Sequence, residues 1–80
     1  MKIKNVYKTY DLACAAALIS EGFILLTLDK ENPRKVQFVF NESNHIVEVI
    51  DKYWSDKLKV NARTFFDNIK MLKNRIYSDD

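Results

Sequence analysis

The run from Leu12 to Ile19, LACAAALI, constrains this chain more than any other stretch. A helix lying on a protein surface is interrupted by polar residues every third or fourth position, and here polarity arrives only with Ser20 and Glu21. At about 100° per residue, Leu12, Ala15, Ala16 and Ile19 gather on one side, with Cys14, Ala17 and Leu18 on the opposite side. A helix apolar all round has to be covered twice. Either a sheet covers one side and another helix the other, or the Cys14/Ala17/Leu18 side meets another chain, as in a homodimer. The run is far short of the roughly 20 residues of a membrane-spanning helix, so no membrane partner is expected.

Helix boundaries are marked on both sides. Asp11 can accept hydrogen bonds from the first free N–H groups, and Gly22 suits the left-handed position just past the end, giving a helix from Leu12 to Glu21. Gly22 and Pro33 are the chain's one glycine and one proline, and both fall between elements. Before the helix, Asn5 to Tyr10 (NVYKTY) reads as a strand. After it, Phe23 to Leu28 (FILLTL) is almost continuously apolar, which predicts a strand covered on both faces. Asp29 to Arg34 form a turn around Pro33, and Lys35 to Phe40 follow as a strand with Val36, Phe38 and Phe40 on one face. The short connection predicts an antiparallel hairpin.

Asn41 or Ser43 caps a second helix running to about Ser55, with Ile46, Val49, Ile50 and Tyr53 as its buried stripe and Val47 and Trp54 along one edge. Leu58 to Val60 is a candidate fourth strand. Asn61 caps a last helix, Ala62 to about Tyr77, whose stripe is Phe65, Ile69, Leu72 and Ile76. The order β-α-β-β-α-(β)-α predicts an α+β domain, three helices on a small mixed β-sheet of three to four strands. With 80 residues, 48% apolar and 30% charged, residues 1–80 make one domain that is neither disordered nor embedded in a membrane. Met1 to Tyr10 has no apolar core of a signal peptide, and the lone Cys14 gives no disulfide, so a cytoplasmic protein is expected.

YKTYDLACAAALISEGFILLTLDKENPRKVQFVF, followed by KYW, LKV and ARTFFDNIKMLKNRIY, resembles a family of small bacterial proteins of unknown function whose members also occur on phages and mobile elements. The resemblance spans nearly the whole chain, with NPRKVQFVF and ARTFFDNIKMLK its most recognisable parts. It brings no activity and no catalytic residues. It implies a free-standing small domain, an accessory protein of a mobile element.

Catalysis needs convergent groups, and few are offered. His45 is the only histidine, at the predicted start of the second helix; as a general base it lacks an evident nucleophile and orienting partner. A zinc site needs about four ligands, which one Cys and one His do not supply. Glu48, Asp51 and Asp56 mix evenly with Lys52 and Lys57, as on a solvated face. One glycine excludes the glycine-rich phosphate and dinucleotide loops. Among small apolar neighbours, Cys14 reads as a small hydrophobe. No enzyme and no cofactor are expected.

The last helix carries the candidate binding surface. Arg63, Phe66, Lys70, Lys73 and Tyr77 fall within about 80° of arc beside the buried stripe, with Asp67 at the border. Cations interleaved with aromatics bind phosphates and stack on bases, and Arg and Tyr equally anchor protein interfaces. The alternative is that Phe66 is core and lysine stems lie along its edge. From Lys59 to Tyr77, five basic residues stand against Asp67 alone, a local +4; Lys30, Arg34 and Lys35 at the hairpin tip extend the patch, diluted by Asp29 and Glu31. The whole chain carries only +2, weak attraction for a polyanion. A protein-interaction module, an inhibitor or adaptor, is therefore the first expectation. A nucleic-acid-binding accessory protein using the last helix is the second.

Overall fold

The structure, a computed structural model, describes residues 5–78. The elements run β1 (Val6–Thr9), α1 (Leu12–Ser20), β2 (Leu25–Asp29), β3 (Gln37–Asn41), α2 (Asn44–Trp54) and α3 (Ala62–Tyr77). The fold is α+β, with three helices packed on a three-stranded sheet of order β1-β3-β2. β3 lies between β1 and β2 and is antiparallel to both, so the sheet is antiparallel throughout rather than mixed. Leu58 to Val60 form no strand: Leu58 and Val60 lie beside Ala17, Tyr53 and Phe65, in the helical layer, where no strand is at hand for pairing.

α1 is enclosed by the rest of the chain. Cys14, Ala15, Ala16, Ala17 and Leu18 are each at most 2% exposed, and consecutive helical positions turn through about 100° each, so these residues face every direction around the axis. Asp11 caps the helix by accepting from the Cys14 N–H at 2.9 Å. At the other end Gly22, at φ 102°, takes the left-handed conformation, while its N–H donates to Ile19 O and that of Phe23 to Leu18 O, both at 3.0 Å. α2 and α3 are each tied to α1: Tyr53 Oη donates to the Asp11 carboxylate at 3.3 Å, and Asn68 Nδ2 donates to Ser20 Oγ at 3.0 Å. Cys14, Ala17 and Leu18, the side of α1 considered for a contact with a second copy, are covered within the chain by its own sheet and helices.

β2 departs from its apolar sequence. It is an edge strand, and Ile24 and Leu26 are 77% and 45% exposed, so it is not covered on both faces. A register shift between Leu25 and Thr27 explains the pattern. Strict alternation would put Leu25 and Leu28 on opposite faces; one extra residue restores both to the side of Phe40 and Phe38 and turns Leu26 outward. On the opposite face the central residue is Val39, 6% exposed, and Lys8 on β1 reaches across β3 to Asp29 on β2 at 3.3 Å.

Ser43 caps α2 by accepting from the Ile46 N–H, and Asn61 caps α3 by accepting from the Thr64 N–H, each at 3.1 Å. α2 ends with Asp56 at φ 63°, a left-handed position, while the Lys57 N–H donates to Lys52 O at 2.9 Å.

Three substitutions test this architecture. Leu18→Glu should yield no folded monomer, since a buried unpaired carboxylate costs several kcal/mol. Leu18→Ala should cost about 2–5 kcal/mol in urea unfolding. Asp56→Gly should raise stability by roughly 0.5 kcal/mol, because glycine removes the left-handed strain at the cost of some unfolded-state entropy.

Candidate functional site

The groups most suited to catalysis are dispersed. His45 is exposed at the start of α2; its Nδ1 lies 3.9 Å from Glu48 Oε1, and its ring centroid is 5.3 Å from that of Phe23. Cys14 lies inside the core, where burial, the strongest influence, pushes its thiol up to about 11. A protonated, enclosed thiol is a poor nucleophile. Among the described residues no group of three or more His, Cys, Asp and Glu side chains could hold a metal ion.

The flank of α3 is a surface. Its buried stripe, Phe65, Ile69, Leu72 and Ile76, packs against the core and turns Arg63, Phe66, Lys70, Lys73 and Tyr77 outward along about 21 Å of helix. Phe66 is 60% exposed and Tyr77 81%, so Phe66 is not core. The Lys70 ammonium lies 5.4 Å from the Phe66 ring centroid, a cation–π arrangement within the flank. Among the described residues, no carboxylate forms an ion pair with Arg63, Lys70 or Lys73.

At the end of α3 this flank opens into a shallow cleft of about 450 Å³ between the helix and the β2–β3 connection. Its rims are Tyr77 on one side and Tyr10, Arg34 and Lys35 on the other, with Pro33 at the tip. The floor is apolar, formed by Leu12, Val36 and Ile76 above the buried Phe38. Lys35 Nζ lies 5.6 Å from the Tyr10 ring centroid. Tyr10 arrives through strand pairing: Thr9 stands opposite Phe38, which carries the next residue towards the hairpin tip.

Lys30 is drawn away from this patch. Its ammonium donates to the carbonyls of Arg75 and Ser78 at 3.2 Å each, so it caps the negative end of α3. Of the tip cations expected to extend the flank, Arg34 and Lys35 join the cleft and Lys30 clamps the helix to the hairpin.

A family model described as a domain of unknown function, DUF5659, matches residues 4–78. The chain belongs to this family. No curated protein and no solved structure matches it. Among the described residues of this DUF5659 chain, no helix is long and apolar enough to cross a membrane.

Tyr10 is the functional candidate that sequence reasoning misses. Nothing local separates it from any other aromatic at a strand end, and its place beside Lys35 follows only from the β1–β3 register.

Cys14 in α1 and the partly buried Tyr53 beside Asp11 predict a pH response. Burial and the Asp11 carboxylate push the Tyr53 hydroxyl from 10.0 up to about 12, and burial moves Cys14 from 9.0 up to about 11. Folding thus keeps both groups neutral at pH values where they ionise in the unfolded chain. Their contribution to stability is therefore complete below about pH 9 and is lost as the pH rises towards 12. Urea midpoints should fall over that range, with a shallower slope between pH 9 and 11 in Cys14→Ala. An aromatic disulfide reagent should modify Cys14 only on unfolding.

Proposed function

We propose that this protein is a non-enzymatic interaction module that binds another protein, a small cytoplasmic inhibitor or adaptor of a phage or mobile element. The observation that carries this reading is the exposed flank of α3, where Phe66 and Tyr77 stand in solvent among three cations with no ion-pair partner among the described residues. Aromatic and arginine side chains are the types that dominate binding energy in protein interfaces. A formal charge of +2 offers little long-range attraction to a polyanion, which favours protein over nucleic acid. The unpaired cations support a second reading, in which the same flank binds nucleic acid.

Capture from host lysate, with and without nuclease, separates the two. A protein retained after nuclease supports the first reading, and recovery of nucleic acid the second. Arg63→Ala, Lys70→Ala and Lys73→Ala should each weaken binding while changing folding stability by no more than about 0.5 kcal/mol, since exposed charges contribute little to it. For a protein partner the salt dependence should be shallow, with the largest loss in Phe66→Ala or Tyr77→Ala. For nucleic acid held by these three cations, log affinity should fall against log salt with a slope of about −2 to −3, and each substitution should remove nearly one unit of it.

A further inference from the structure

We propose that the cleft at the end of α3 receives one large apolar side chain from an acidic segment of the protein partner. This rests on the reading of the protein as a protein-binding module and names the partner's chemistry at one end of the surface. The floor calls for an apolar anchor: Leu12, Val36 and Ile76 offer it no hydrogen-bonding side chain, and the two tyrosines stand at its sides. The cleft, about 450 Å³ and open to solvent, is more than large enough to admit one aromatic side chain. The rim sets the charge of what flanks the anchor. Arg34 and Lys35 are exposed, no carboxylate among the described residues lines the cleft or pairs with them, and acidic residues beside the anchor complement them.

Nucleic acid fits this place less well. A phosphate backbone is followed by cations spaced along its path, whereas Arg34 and Lys35 are neighbours on one rim. The opposite rim is Tyr77, and the cations lining the cleft, Arg34 and Lys35, both stand on the other side. Lys30 is already committed to the carbonyls of Arg75 and Ser78. An apolar group can lie against Tyr77 while its acidic neighbours turn towards the hairpin.

The test uses the full chain, labelled with nitrogen-15, and an eight-residue peptide of Glu and Asp around a central Phe. Its controls are the same peptide with Ser for Phe, one with Gln and Asn for the acids, and an eight-nucleotide thymidine oligomer. Amide shifts should centre on Tyr10, Lys35, Val36 and Tyr77. Either peptide change should weaken binding about tenfold, and so should Tyr77→Ala or the double variant Arg34→Ala/Lys35→Ala, all from exposed positions that leave the fold intact. No binding below millimolar peptide, shifts confined to Arg63 to Lys73, or tighter binding of the oligomer at the cleft would each overturn the proposal. The two readings can fail separately. If Phe66→Ala abolishes capture of a protein partner and the cleft variants leave it intact, the cleft assignment falls and the module reading stands. If neither set of variants alters capture, both fall.

Discussion

Everything in this fold is arranged to enclose α1. Five successive residues with almost no exposure leave the helix no face for solvent, so sheet, α2 and α3 must all reach it. Its small side chains permit this. Ala15, Ala16 and Ala17 add little bulk, which allows neighbouring elements to approach closely, and Leu18 joins the larger residues Phe38, Phe40 and Ile46 in one core cluster. The polar groups near it are also satisfied. Asp11 caps the helix and accepts from Tyr53, and Ser20 bonds to the Ala16 carbonyl and accepts from Asn68. No buried side-chain N or O among the described residues lacks a hydrogen-bond partner.

Features written in neighbouring residues are readable from the chain. Asp11, Ser43 and Asn61 cap helices, and Gly22 ends one, because each effect acts over three or four positions. The outward flank of α3 is legible for the same reason: helical spacing alone groups Arg63, Phe66, Lys70, Lys73 and Tyr77. Whether Phe66 is core or surface is a tertiary question, and packing of the Phe65 stripe decides it.

Features that depend on distant partners are hidden. The full apolar circumference of α1 says that it is covered, not by what, and the enclosing elements turn out to belong to the same chain. FILLTL reads as a central strand because an apolar run does not reveal strand order. The central place goes to β3, where Phe38, Val39 and Phe40 are all buried, and the bulge in β2 puts Leu26 outside. Leu58 to Val60 has strand-like residues but lies among the helices, beside Ala17, Tyr53 and Phe65, and joins neither edge of the sheet. The cleft needs Tyr10 from β1, the hairpin tip and the end of α3 at once, which no local pattern encodes.

The clamp made by Lys30 couples two parts of the molecule that would otherwise fray independently. Hairpin tips and terminal helical turns are ordinarily the first places where amide hydrogens exchange, each on its own schedule. Here the last carbonyls of α3 are held by a side chain from the end of the β2 hairpin arm, on the side of the helix away from Tyr77. Opening the last turn of α3 therefore also breaks two hydrogen bonds to the hairpin, a direct link between the elements that carry the two rims of the cleft.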